Sequence, residues 1–357
     1  MVRSRIIGAV AAVLVVAVGG AVLIGLVAWL GDEEQPTEPA IEEPNDEPEP
    51  PRAPLTGLPL DDPDELDHPA VAIKVSDVEE AHPQAGLDRA DIVFAQPIGV
   101  NYTRLTAVFH SQLTGDDPPG EVGPVRSVRP ADAPLLGPIA GVFGNTMSSE
   151  WILDYVYGAT DLEDLGSLRV TGTGAYTVDG NRPQPDHVFA HPSELLALSD
   201  RTDPPEPYFA YAGEGESSSA ERAGEAGSDV RLSYGPNWPV RWTYDADSER
   251  YLREQPWGPH VLVDDTQVSA TNVVVIQVGS ETGKIGDGGG QPVPILDLVD
   301  SEGTFLALSG GAAVTGSWSK GGENEPFELR TDDEELELAP GTTWVELPEP
   351  GAELTTS

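Results

Sequence analysis

The run IIGAVAAVLVVAVGGAVLIGLVAWL, Ile6–Leu30, contains no charged residue. At 1.5 Å per residue it makes about 37 Å of helix, enough to cross a hydrocarbon core of about 30 Å with some tilt. A cleaved signal peptide has a shorter apolar region, roughly 7–15 residues. Arg3 and Arg5 precede the run, and Asp32, Glu33 and Glu34 follow it. The positive-inside rule then places residues 1–5 in the cytoplasm as a short tip, 6–30 in the membrane as a single-pass signal anchor, and the rest outside. A cleaved signal is the alternative.

The charge balance narrows the partners. Against 61 Asp+Glu stand only 19 Lys+Arg, for a net charge of −42. Such a chain repels phosphate backbones, so no nucleic-acid partner is expected. The same repulsion favours a soluble monomer outside the membrane. Cysteine is absent, which removes disulfides, thiolate metal sites and thiol catalysis together.

Composition divides the exported part. Residues 31–53 are dominated by acids and prolines and read as a disordered stalk, extending up to roughly 70 Å. Residues 54–202 mix strand-like runs (71–75, 91–98, 102–111, 139–145) with two helical patterns, at 148–158 and 191–200. That mixture without a regular β-α-β rhythm predicts an α+β N-terminal domain. Residues 203–229, rich in Pro, Gly, Ser and Glu, read as a disordered linker or long loop. Residues 230–347 offer many short strands between turn signals and predict a mostly-β C-terminal domain. Residues 348–357 read as a polar tail.

Familiar catalytic signatures are not met. Gly279 to Lys284 is one residue short of a phosphate-binding loop, and Ile285 replaces its Ser/Thr, so ETGKIGDGGG (281–290) reads as a hairpin loop. His187 and His191 are four apart, yet Pro192 starts the next element, which argues against a helical metal pair. Asp245, Asp247 and Glu249 open like a calcium loop, but Arg250 stands where glycine is needed. No G-x-S-x-G elbow occurs. No metal and no cofactor are expected. Trp242, Trp318 and Trp344 sit in strand-like runs and suit core packing better than sugar stacking.

The clearest candidate for chemistry is GPVRSVRP, residues 123–130. It holds Arg126 and Arg129 three apart in a proline-bounded frame, around Ser127. Arg104 lies in a strand-like run, and Arg182 precedes His187 closely. Guanidinium forks grip carboxylates or phosphates in bidentate fashion, and a stiff turn limits the entropy lost on binding. Arg104, Arg126, Ser127, Arg129, Arg182 and His187 are therefore the candidate anion-binding residues. The alternative is that these arginines pair with internal acids and brace the fold. No catalytic residue can be assigned.

Several segments resemble, in order, the YerB-like bacterial envelope proteins. In the first domain these are PLTGLPL (54–60), HPAVAIKV (68–75), PQAGLDRADIVF (83–94), TRLTAVF (103–109) and GPVRSVRP. In the second they are WTYDADSERYLRE (242–254), NVVVIQV (272–278), GSWSK (316–320) and APGTTWVEL (339–347). The resemblance covers about residues 54–347. It implies a two-domain, surface-anchored protein, often a lipoprotein, with no established enzymatic activity. This chain departs from the pattern at Ala95, Gly99 and Asn101, where acidic residues or glycines are usual. It also replaces a lipidated cysteine with the apolar run.

Together these features predict a membrane-anchored extracytoplasmic module, more a binder than an enzyme. It would engage a cell-wall component or a wall-assembly protein. The alternative is an enzyme acting on wall glycopeptide, with the arginines orienting an anionic substrate.

Overall fold

The apolar run VAIKVS becomes the buried strand β1, Val71–Ser76, and every residue of it is out of solvent. Its neighbours are β2 (Ile92–Gly99), β3 (Tyr102–Phe109), β4 (Val142–Gly144) and β5 (Glu163–Asp164). Helices α1 (Asp132–Leu136) and α2 (Glu150–Ala159) flank β4 in sequence. The computed structural model describes residues 50–99, 102–285, 292–332 and 334–357. The segments expected to form a cytoplasmic tip and a membrane anchor, most of the expected stalk, and Asn101 lie outside the described residues. Among the described residues no helix is long and apolar enough to cross a membrane.

One eleven-stranded sheet takes strands from both halves of the chain. Its order runs from Glu328–Arg330 through Ala312–Lys320, Ser301–Ser309, Asn272–Ile276 and Thr343–Glu346 to β2, β3, β1, β4 and β5. Thr343–Glu346 joins the halves, lying parallel to both Asn272–Ile276 and β2. The strand parity of two then sorts side chains between two cores. Val71, Ile73 and Val75 face a second, six-stranded sheet through Val230, Val240, Trp242 and Tyr251. Ala72, Phe94 and Val108 face the other way, onto Leu135, Leu136, Ile152 and Val156 of α1 and α2. Each large apolar side chain so buried contributes roughly 1.5–3 kcal/mol. Gly141 lets β4 close against β1, since a Cβ there would sit 2.2 Å from the Ala70 carbonyl.

Most local expectations hold, with shifted ends. The 148–158 helix forms as α2, with Ser149 at its N-cap position and Ile152 and Val156 buried. It runs past Gly158 to Ala159, and the hydroxyl of the C-cap Thr160 donates to Val156 O at 2.8 Å. The 191–200 helix is shorter, with strands β6 (Tyr176–Val178) and β7 (Val188–Ala190) before α3 (Pro192–Leu196). Residues 280–285 form a strand paired with Pro292–Leu296, so Gly283 and Lys284 are extended rather than wrapped into a phosphate loop. Trp242, Trp318 and Trp344 are all buried in the cores.

Two expectations need correction. Residues 203–229, read as a disordered linker or loop, are ordered around α4 (Ser219–Ala223). Ser218 and Glu221 close a capping box there, satisfying donors that an exposed helix end leaves open. Ala210–Tyr211 and Glu225–Ala226 pair with distant strands, and Tyr208, Phe209 and Ala212 are buried. The polar tail is not free either: Leu354–Thr356 pairs with Asp229–Ser233 and completes the smaller sheet.

Candidate functional site

Register places a cluster at one end of β1. Lys74 opposes Thr106, Ser76 opposes Arg104, and Gln96 opposes Arg104 from β2. By parity Lys74, Thr106, Gln96 and Arg104 therefore share the face toward α1 and α2. Asp132, the first residue of α1, closes over them. One of its oxygens accepts from Lys74 Nζ at 2.6 Å, Gln96 Nε2 at 2.7 Å and Thr106 Oγ1 at 3.1 Å. The other accepts from the Arg129 backbone N–H at 2.7 Å. Lys74 and Asp132 are both fully buried.

GPVRSVRP is clamped along its backbone. Ser76 donates to Pro124 O at 2.9 Å, Arg126 to Lys74 O at 2.8 Å, and Val125 to Val188 O at 2.7 Å. Thr146 donates to Arg126 O and Val128 to Met147 O, tying the loop to the segment after β4. Val125 and Val128 are buried in different cores, so the loop wraps the end of the sheet. Arg126, Ser127 and Arg129 are left half-buried. The loop sits where the parallel strands β1 and β4 end, a common ligand position in such sheets.

Three guanidiniums converge here. Arg104 Nη1 and Arg129 Nη1 donate to Ser127 O at 3.1 and 3.4 Å, and Arg129 also to Val128 O at 2.8 Å. Arg126 Nε lies 3.6 Å from Asp186 Oδ1, a long ion pair. Arg104, Arg126 and Arg129 each keep a buried Nε without a hydrogen-bond partner. Burial, and then the charges of Arg129 and Arg126, push the Arg104 pKa well below the ordinary arginine value. Burial lowers Arg129 to about 10 against the pull of Asp132, with Arg126 adding to the fall. Lys74 falls to about 8, again chiefly by burial and against Asp132. The Ser127 hydroxyl has no hydrogen-bond partner among the described residues, so no base is joined to it.

The remaining sequence candidates separate. Arg182 braces a turn: Nη1 donates to Ala81 O at 2.9 Å, Nη2 donates to Pro83 O, and the guanidinium covers the Phe189 ring at 5.2 Å. Its nearest carboxylate is Asp179, 3.7 Å from its Nε. His187 stands just before β7, half-buried, with Nδ1 buried and unpartnered beside Asp186. Lys74, Gln96, Thr106 and Asp132 were missed. A lone lysine inside VAIKV was the available signal, because such a strand is buried on both faces.

The opposite face of the same strand ends carries a second network. Asp77, fully buried, accepts from Thr103 Oγ1 and Gln255 Nε2, both at 2.6 Å, and lies 3.5 Å from Arg253 Nη2. Arg253 Nε donates to Glu346 at 3.1 Å, and Trp242 and Tyr234 donate to the same carboxylate. The guanidinium also lies 4.8 Å from the Trp344 ring centroid. Despite burial, Arg253, His82 and His260 hold the Asp77 carboxyl well below the usual range. Asp77, His82 and His260 place possible ligand atoms within 4.8 Å of one another. Yet His260 Nδ1 meets Arg253 Nη1 at 3.0 Å and its Nε2 meets Gln84 Oε1. With both ring nitrogens engaged and a guanidinium adjacent, the cluster is a hydrogen-bonded network, ill suited to a further cation.

The likeness to known proteins runs over most of the chain rather than a local motif. The chain is 26% identical over 314 residues to a Bacillus subtilis (strain 168) protein named "Putative lipoprotein YerB", covering 83% of this chain and 86% of that protein. The crystal structure of YerB from Bacillus subtilis superposes with a TM-score of 0.70 at 23% identity, over 85% of this chain and 99% of that one. Residues 55–204 and 229–345 match, respectively, the N-terminal and C-terminal domains of one family. By both matches the chain belongs to the family described as protein of unknown function (DUF3048).

Proposed function

We propose that this protein is a membrane-anchored, extracytoplasmic binding module whose arginine crevice holds an anionic group of a cell-wall component. The observation carrying the reading is the convergence of Arg104, Arg126 and Arg129 on one proline-framed turn, each with an unpartnered Nε. Like charges crowded together repel, and a bound anion would offset that repulsion. The relative's name as a lipoprotein supports an envelope location. This sequence has no cysteine to carry a lipid, so the uncharged run 6–30 would supply the anchor instead. Binding is favoured over turnover because a serine nucleophile needs a hydrogen-bonded base, and Ser127 has none among the described residues. A protein of the wall-assembly machinery presenting an acidic group would engage the same crevice.

A melting-temperature screen tests the reading. Wall glycopeptides and polyol phosphates would be added to the wild type and to Arg126→Ala. A ligand at 100 times its dissociation constant adds about 2.7 kcal/mol to the wild type. Loss of that shift in Arg126→Ala places the ligand at the crevice. No shift from any anion in the wild type would sink the proposal.

A further inference from the structure

Charge counting in the crevice points to the kind of anion. Four cations gather here, Arg104 and Arg129 lying within electrostatic reach of Lys74 and of Arg126, and two carboxylates, Asp132 and Asp186, answer them. Asp132 is fully engaged by Lys74, Gln96, Thr106 and the Arg129 backbone. Asp186 reaches Arg126 only at 3.6 Å. Two positive charges therefore stay uncompensated beneath a largely desolvated floor, in a chain with a net charge of −42. Self-repulsion among them is the second-largest cause of the depressed Arg104 pKa. A monocarboxylate brings one charge and two oxygens. A phosphomonoester brings about −1.5 to −2 charge and three acceptor oxygens at neutral pH. Three oxygens match three guanidiniums, which bind phosphate in forked pairs.

We infer that the crevice selects a dianionic phosphoryl group, a phosphomonoester or free phosphate, over a carboxylate. Resting on the anion-binding reading above, the inference assigns that site its ligand class. Arg104 forms the buried floor, Arg126 and Arg129 the half-exposed jaws, and the free Ser127 hydroxyl a neutral donor between them. The phosphoryl group could come from the end of a wall polymer or from soluble phosphate.

The test is calorimetric titration of the full-length chain in nonionic detergent with glycerol 3-phosphate, inorganic phosphate, sulfate and acetate. Sulfate stays dianionic throughout, so it registers any titration of the protein itself. Glycerol 3-phosphate, with a second pKa of about 6, gains its second charge between pH 5 and 7.5. Its affinity relative to sulfate should rise about tenfold over that range. Arg126→Ala should weaken the phosphomonoester at least tenfold, and Arg126→Lys, which keeps charge but loses the fork, should restore only part of it. Tighter binding of glycerol 3-phosphate than of phosphate identifies an organic phosphomonoester as the source, and equal binding identifies the phosphoryl group alone. A flat ratio to sulfate, or acetate binding as tightly, overturns the dianion inference while leaving an anion site in place. No binding of any anion overturns both.

Discussion

Thr103 and Arg104 are neighbours in β3, yet they serve opposite faces and opposite kinds of polar cluster. Thr103 points to the smaller sheet and donates to Asp77, in a network where one guanidinium, Arg253, is set between two carboxylates, Asp77 and Glu346. Arg104 points to the helices and joins a cluster in which cations outnumber carboxylates and guanidinium nitrogens lack partners. Both clusters are buried, so burial alone does not separate scaffold from site. What separates them is closure. In the first, every charged group has an oppositely charged partner and the cluster as a whole leans negative, whereas the one across the sheet holds more cations than carboxylates.

The largest expected effect comes from opening the closed network. Arg253→Ala strands Asp77 and Glu346 in a dry interior, and removing one partner of a buried pair costs about 3–5 kcal/mol. Denaturant midpoints should fall accordingly, and a variant as stable as the wild type would mean that the network is not closed. Asp132→Asn should come next. It keeps the side-chain shape but turns an NH2 toward groups that themselves donate and leaves Lys74 without its counter-charge, costing roughly 2–3 kcal/mol. The folded Lys74 pKa, about 8, already lies below its unfolded value of 10.5. The unfolded chain thus holds more protons at this site between those values, and its contribution to stability rises with pH there. In Asp132→Asn that rise should begin at lower pH. Urea titrations at several pH values would check it, and an unchanged onset would show that Asp132 does not compensate Lys74.

Acid sharpens the contrast further. The folded pKa of Asp77 lies below its unfolded value, so its stabilisation is present above about pH 4 and is lost as pH falls through the folded value. Arg253→Ala removes the main charge that depresses Asp77, so the variant should lose less of its remaining stability below pH 4 than the wild type. Parallel acid-unfolding curves would contradict the assignment.

Local pattern carried the strands and α2, because each has a period visible within its own residues. It also carried the GPVRSVRP arginines, since basic residues are scarce in this chain and a proline frame marks them out. The closed network was hidden for a different reason. Its members come from positions 77, 253, 260 and 346, and it takes both the pairing of Thr343–Glu346 with β2 and the packing of the smaller sheet to bring them together. One signal did exist: alternation in RYLREQ puts Arg253 on the same side as Tyr251 and Gln255, the buried side. Asp132 was invisible among 61 acids, and the capping box Ser218–Glu221 was masked by the Ser- and Glu-rich composition around it.

The smallest expected stability effect is the most telling about function. Arg126 is half-exposed, its one ion pair is long, and it repels Arg104 and Arg129. Losing a partly exposed pair costs about 0–1 kcal/mol, and relief of repulsion offsets part of it. Arg126→Ala should therefore melt within about a degree or two of the wild type while losing anion affinity. Arg253→Ala should do the reverse, retaining affinity in whatever fraction stays folded. If Arg126→Ala instead destabilised the protein as much as Arg253→Ala, the two faces would not differ in kind. GPVRSVRP would then be a brace, its arginines held by the fold rather than held ready for a ligand.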